Sequence, residues 1–372
     1  ESLAKGFWCP PRLHSQRQIL IEAMNDDYFA LLNDIDHGAF FNEAMTAPSV
    51  RGQRVLDMGA GAGLLSLLAA RLGARHVLAI ESSSEVVRIM QTCVEQNGLA
   101  DKVQVVHGIS SCIRIPEEDQ RADVIVCEPY DVFLVGQGSG ASLEYLADAR
   151  RHLAKPGARI IPAGGAQYAI LITSSVLGAR STVCSHNTTH VDLLNLGVLL
   201  DTASVMSTRE KGFRLNSLPD LVFMSERTSL FSLDFNTATR KSIPRKQSFT
   251  LTVLQDGRID AVVTSWDMWA DAGSGRRLTA HAEDTKAQSW GFARDVVYGQ
   301  GIQLIEDFDA MKRSSAKSPP APFTVQKGEE LQLTMHVSLH RDSIHFTLRR
   351  LSEVAPTQGA KSRGSRAGRR RV

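Results

Sequence analysis

The residues with the most chemistry to offer stand at the end of an apolar run. Val124-Ile125-Val126-Cys127 reads as a buried strand, and Glu128 places a carboxylate at its exit. Pro129 stops the ladder, because it has no N–H to donate. The chain then turns back, and Gln137 follows nine positions after Glu128. A site built to hold a cation wants two acids here. This chain offers one acid and one amide of the same shape.

A second group lies upstream. Asp57-Met58-Gly59-Ala60-Gly61-Ala62-Gly63 follows a predicted strand and opens a predicted helix. Glycines at such a turn let the backbone approach a ligand closely. The spacing is G-x-G-x-G, not the G-x-G-x-x-G of dinucleotide sites. Asp57 adds negative charge where a pyrophosphate would sit, so it suits a ligand with a cationic amine. Glu81, with Ser82 beside it, ends the next predicted strand, and an acid there grips both ribose hydroxyls of a nucleoside. A ribose, an amino acid moiety and no phosphate describe S-adenosyl-L-methionine, whose product is S-adenosyl-L-homocysteine. The bland alternative for the glycine run is a tight turn between any strand and helix. Glu81 and Glu128 at successive strand ends, on the carboxyl edge where such sheets bind ligands, favour the cofactor.

The elements that must position these groups alternate. Residues 12–46 read as helical. Strands are expected at Arg54–Asp57, Val77–Glu81, Val103–Val106 and Val124–Cys127, with helices at Leu64–Leu72 and Ser84–Asn97. Strands alternating with helices imply a parallel, doubly wound sheet. After about Pro162 the texture becomes antiparallel β. Tyr168–Thr173 reads as a strand, Phe249–Val253 turns at Asp256-Gly257 into a hairpin with Ile259–Trp266, and Leu331–Leu339 pairs with Ile344–Leu348. The domains are expected at 1–46 (N-terminal helices), 47–162 (cofactor domain), 163–351 (substrate domain) and 352–372 (a basic, disordered tail).

Composition narrows the functional classes. The 372 residues carry a formal charge of +2, with 43% hydrophobic and 22% charged residues, as in an ordinary soluble protein. No apolar run approaches the roughly 18 residues of a membrane span. No basic stretch followed by an apolar one marks a signal segment, and the five cysteines form no C-x-x-C pair. The expectation is therefore a reducing setting, cytoplasmic with the nucleus as a second compartment, and no metal. Residues 352–372 hold six basic groups and one acid. The body is accordingly mildly acidic, which argues against a direct nucleic-acid groove.

The glycine loop after Asp57, Glu81, Glu128 and the nine-residue spacing to 137 together resemble the protein arginine N-methyltransferases. The resemblance covers roughly residues 25–350 and is greatest to the type III, monomethylating branch in its trypanosomatid-like, single-module form. It implies an α/β, doubly wound methyltransferase domain of the seven-strand type, then a mostly antiparallel β-barrel domain with an inserted helical dimerisation arm near residues 174–200. It implies a homodimer and an arginine-containing protein or peptide substrate, Arg-Gly-rich or histone-like. Glu128 and position 137 become catalytic. Asp57, Gly59, Gly61, Gly63, Glu81, Ser82 and Ser111 become cofactor-binding, although the family has glutamate where Ser111 stands. Tyr28, Phe41, Tyr130 and Trp290 become substrate-binding, with core packing the alternative for Tyr28, Phe41 and Trp290. The family's arginine for the cofactor carboxylate has no secure match, leaving His37 or Arg51. Its Thr-His-Trp loop falls at Gln288-Ser289-Trp290, so its histidine is absent.

The chemistry explains why two acids matter. Arginine stays protonated, with a pKa above about 12, and the cofactor's sulfonium is also cationic. Two carboxylates cancel the pair, whereas Gln137 leaves one charge over. At about 4 Å and an effective dielectric near 20, one lost charge interaction is on the order of 4 kcal/mol, or roughly a thousandfold in rate. Gln137 keeps the pocket's shape, as an engineered substitution or a natural variant would. Two other functions stay open. Glu128-Pro129-Tyr130 also resembles the acidic-Pro-Pro-Tyr motif of nucleic-acid amino-methyltransferases, and a catalytically silent adaptor for Arg-rich partners needs no second acid.

Overall fold

The structure, a computed structural model, describes residues 31–46, 49–128, 130, 133–135, 141–177, 215, 218–271, 275–281, 299–305, 322–338 and 343–351. Tyr28, Gln137, Trp290, all but the first residues of the expected arm and the basic tail lie outside them. The helical expectation for 12–46 is met where it can be seen, with a break at Asp34. Residues 31–33 are helical, and α1 (Ile35–Ala44) restarts after Asp34, whose carboxylate accepts from the N–H groups of Asp36 and His37. A capping acid of this kind satisfies donors that the first turn leaves without partners.

β1 (Arg54–Met58), α2 (Leu64–Arg71), β2 (His76–Glu81), α3 (Ser84–Gln96), β3 (Val103–His107) and β4 (Ala122–Cys127) follow the expected alternation. The sheet is parallel, in the order β3-β2-β1-β4-β5. The order reverses between β1 and β4, which makes that gap the place where a doubly wound sheet receives a ligand. Two elements escaped the sequence reading: α4 (Ala141–His152) and β5 (Ala154–Ile161). Charged Arg150-Arg151-His152 and the Pro156-Gly157 pair obscure them. Proline is tolerated in β5 because this is an edge strand, and its register shifts against β4 beside that pair.

The second half is antiparallel. β6 (Gly164–Thr173) pairs with β11 (Ala261–Trp269) along nine residues, and also with β7 (Val222–Phe223) and β8 (Thr228–Asp234). β12 (Arg277–Thr279) and β13 (Gly301–Leu304) flank β11. β9 (Lys246–Thr252), β15 (Glu330–Ser338) and β16 (Ser343–Arg350) form a three-stranded sheet. The β15–β16 hairpin is the expected one.

The hairpin expected at Asp256-Gly257 does not form. The strand before it, β9, pairs with β15, whereas β11 pairs with β6 in another sheet. Between them the short β10 (Gly257–Ile259) pairs with β14 (Phe323–Val325). Every position of β11 from Ala261 to Met268 is buried, so it takes a central place with partners on both sides. Asp256 instead accepts the N–H of Lys327 at 2.7 Å, which ties the turn to the loop before β15.

One amide joins the two halves. Gln167 is fully buried; its Oε1 accepts from the Leu134 N–H and its Nε2 donates to the Ser265 carbonyl, each at 2.9 Å. Beside it, Gly165 has no room for a side chain. A Cβ there would lie 2.4 Å from Leu134 Cδ1 and 2.6 Å from the Asp267 carbonyl oxygen. Gly165→Ala is expected to cost about 1–3 kcal/mol and to lower the thermal midpoint. By contrast Gly38, inside α1, has open space at its Cβ. Gly38→Ala is expected to raise stability by roughly 0.5–1 kcal/mol. Thermal denaturation of both variants checks the pair, and a midpoint that rises for Gly165→Ala would contradict the packing described.

Candidate active site

The glycine turn shapes the floor. Gly59, Gly61 and Gly63 have φ of 72°, 55° and 93°, a backbone region that side chains disfavour. Nothing lies within 4 Å of a Cβ built on Gly59, so the turn is open above that residue. The turn is held from the neighbouring strand. Gly59 and Ala60 donate to the Ile80 carbonyl, and Gly61 donates at 3.0 Å to Glu81 Oε2. Glu81 Oε1 accepts from the Ser83 N–H at 2.8 Å and from Ser82 Oγ at 3.3 Å. The carboxylate at the end of β2 is therefore fixed on both oxygens, with lone pairs to spare for a ligand hydroxyl.

Asp57 ends the buried part of β1 at 1% exposure, and Ser66 of α2 donates to its Oδ2 at 2.5 Å. Burial first, and then the Glu128 and Glu81 charges, push its pKa up to about 7; the Ser66 hydrogen bond opposes this. The same burial raises the Cys127 thiol far above its usual range, so it stays protonated.

Glu128 stands across the switch point. His37 Nε2 hydrogen-bonds with its Oε1, and the Tyr130 hydroxyl donates to the same oxygen at 3.1 Å. His37 is 2% exposed, whereas the Glu128 side chain keeps 22%. Phe41 is fully buried with its ring 4.9 Å from the His37 ring, so it backs the imidazole. The Tyr130 ring lies 4.8 Å from Trp266 of β11, which links the site to the second half.

Two adjoining hollows share Gly59 and Glu128. One, of about 130 Å³, is bounded by Leu31, His37, Asp57, Gly61 and Glu81. The other, of about 200 Å³, is bounded by Met58, Ile80, Ser82, Ser110 and Tyr145. The structure thus brings together Asp57, Gly59, Gly61, Glu81, Ser82, Glu128 and Tyr130. Gly63 is the left-handed residue that launches α2. Ser110 faces the second hollow, while the neighbouring Ser111 carbonyl accepts from Arg114. Of the two candidates for a ligand carboxylate, His37 lines the site. Arg51 lies at the opposite end of β1, against Gly73. Sequence reasoning missed the His37–Glu128 and Ser66–Asp57 pairs; the requirement that a buried acid have a partner was the signal available for both.

Residues 43–130 match the family model for ribosomal protein L11 methyltransferase (PrmA). Among solved structures, the Trypanosoma brucei PRMT1 enzyme-prozyme complex with AdoHcy superposes at a TM-score of 0.67 with 19% identity, covering 89% of this chain and 95% of that one. Arabidopsis thaliana protein arginine methyltransferase 10 gives 0.65 and 19%, covering 88% and 93%. The fold is that of the protein arginine methyltransferases. In sequence, protein arginine N-methyltransferase 7 of Danio rerio is 28% identical over 82% of this chain and 44% of its own length. An arginine N(omega)-methyltransferase of Streptomyces achromogenes is 28% identical over 71% and 70%. The chain thus spans less than half of the Danio rerio relative.

The raised Asp57 pKa sets a pH dependence. An unfolded aspartate ionises near 3.8 and the folded one near 7. The folded state therefore holds the extra proton between those values, so this group's contribution to stability falls as pH rises from about 4 to 7. The upper limit is of order 4 kcal/mol at about 1.4 kcal/mol per pH unit of difference. Asp57→Asn is expected to flatten that decline in the ligand-free protein, measured by urea unfolding at pH 5 and pH 7.5.

Proposed function

We propose that this chain is an S-adenosylmethionine-dependent protein arginine N-methyltransferase that forms monomethylarginine, with its rate restrained by Gln137. The observation that carries this reading is Glu128, fixed through one oxygen by His37 and Tyr130 at the switch point. It stands beside a glycine turn and the carboxylates of Asp57 and Glu81. Three acids in one hollow suit cationic ligands. The names of the relatives and the bound AdoHcy of the trypanosome complex support the same reading.

The residues present fit the cofactor. Gly59 leaves space for it, Glu81 would hold its ribose hydroxyls, and Asp57 would face its ammonium. The cofactor supplies a methyl group on a sulfonium. Among the described residues both fixed contacts fall on Glu128 Oε1, so Oε2 is the oxygen to accept from a substrate guanidinium. Accepting that hydrogen bond aligns one guanidinium nitrogen with the methyl carbon. His37 keeps the acceptor in place. Gln137 stands where the family has a second acid, so the guanidinium's charge is only half balanced and the barrier rises. The substrate class is an Arg-Gly-rich or histone-like protein segment, and the pairing of two copies through the arm accompanies this reading.

Gln137→Glu is expected to speed labelled-methyl transfer to an Arg-Gly peptide roughly a thousandfold, with monomethylarginine as the product by mass spectrometry. Equal rates would remove the charge argument, and label appearing in RNA instead would favour the nucleic-acid reading. Cofactor affinity should follow Asp57. Only the carboxylate pairs with an ammonium, so S-adenosylhomocysteine binding is expected to tighten roughly tenfold from pH 6 to pH 8. Calorimetry on the protein and on Asp57→Asn, where the pH trend should vanish, provides the check.

A further inference from the structure

The parallel sheet has two unlike faces. Asp57 reaches Ser66 of α2, and Val55 and Val77 on the same side are buried. The opposite side carries Arg54 and Leu56 of β1, His76 and Leu78 of β2, and Gln104 and Val106 of β3, matched by register. No α-helix is described between β3 and β4; after a short 3₁₀ turn at Ser110–Cys112, residues 113–120 cross that side as an extended segment and a second 3₁₀ turn. The segment is anchored at three places. Ile115 N–H donates to the His152 carbonyl, Arg121 Nε to the Ile115 carbonyl, and Arg54 Nε to the Gln120 carbonyl. Beneath it lies a cavity of about 330 Å³, away from the glycine turn, Glu81 and Glu128.

The lining divides by chemistry. Leu56, Leu78 and Val106 make an apolar floor on the sheet, while Arg54, His76 and Arg114 supply polar groups. Arg54 Nη2 lies 3.5 Å from His76 Nδ1. Burial, and then the Arg54 charge, lower the His76 pKa, so the imidazole is neutral; the Gln104 side chain hydrogen-bonds it as well. Among the described lining residues Glu117 is the one carboxylate, against two guanidinium groups, of which Arg114 also meets Asp148 at 3.4 Å. Ligand pockets of about 300–1,000 Å³ with mostly apolar walls and a few convergent polar groups hold small molecules. Arginine suits a flat oxyanion, because its planar fork donates two parallel hydrogen bonds.

We propose that this cavity is a second small-molecule site that takes a planar, apolar monoanion. The ligand is an aryl carboxylate or sulfonate, with its ring on Leu56, Leu78 and Val106 and its acid group on Arg54 and His76. The site does not depend on methyl transfer.

The test uses the full chain and 8-anilinonaphthalene-1-sulfonate, whose fluorescence rises in an apolar site. One saturable site per chain is expected. Val106→Trp fills the floor without altering charge and should weaken binding at least tenfold. Arg54→Gln should weaken it at least fivefold. The neutral analogue N-phenyl-1-naphthylamine should bind more weakly and ignore Arg54→Gln. Should Val106→Trp fail to fold, the His76 ring resonance decides. In protein carrying ¹³C-labelled histidine, that signal is assigned by its loss in His76→Gln. It should move on titration with the sulfonate. Absence of saturation, binding that both variants leave unchanged, or a His76 signal that stays still would each overturn the proposal.

Discussion

Glu128 places a carboxyl group at the inner edge of a buried sheet, and much of the molecule serves to hold it there. A carboxylate in such a place is costly unless hydrogen-bonded. His37 and Tyr130 supply the partners, but each needs support of its own. His37 is aimed by α1, which Asp34 caps one turn earlier, and Phe41 packs behind its ring. Tyr130 is braced by Trp266, which belongs to the antiparallel half. One carboxylate thus requires the N-terminal helix, the parallel sheet and the second domain to be in place together.

The other acids are treated differently, and that difference organises the site. Glu81 sits partly open, with backbone and hydroxyl donors on both oxygens. Asp57 is closed off, with Ser66 as its donor and two like charges nearby, so its proton is held to near neutrality. Three carboxylates converge on a single hollow, but they do not behave as equals. The partly open one has lone pairs to spare and the closed one titrates near neutrality. The third carries His37 and Tyr130 on a single oxygen.

Much of this was legible in the sequence, because the signals were local. The first four strands show as apolar runs, three of them leading to an acid at Asp57, Glu81 or Glu128, and the glycines announce the turn. What stayed hidden depended on long-range pairing. The Asp256-Gly257 signal is a genuine turn, yet its flanking strands join different sheets, because β11 is buried throughout and claims β6. α4 and β5 were masked by charged and turn-forming residues that an edge position tolerates. The His37–Glu128 contact spans 91 positions, and no spacing rule reaches so far. The acid at Glu128 was readable, whereas its partner was not: the sequence marks His37, with Arg51, only as a candidate for the cofactor's carboxylate, and the fold places Arg51 at the far end of β1.

The buried amide of Gln167 has a mechanical consequence. Its oxygen and its nitrogen engage opposite sides of the joint at once, Leu134 on one and Ser265 on the other. Neither half can swing away without stranding a donor or an acceptor in a dry interior. The closeness of the backbones at Gly165 removes the slack that a hinge would need. The joint therefore behaves as a weld, and the two halves are expected to share a single cooperative melting transition.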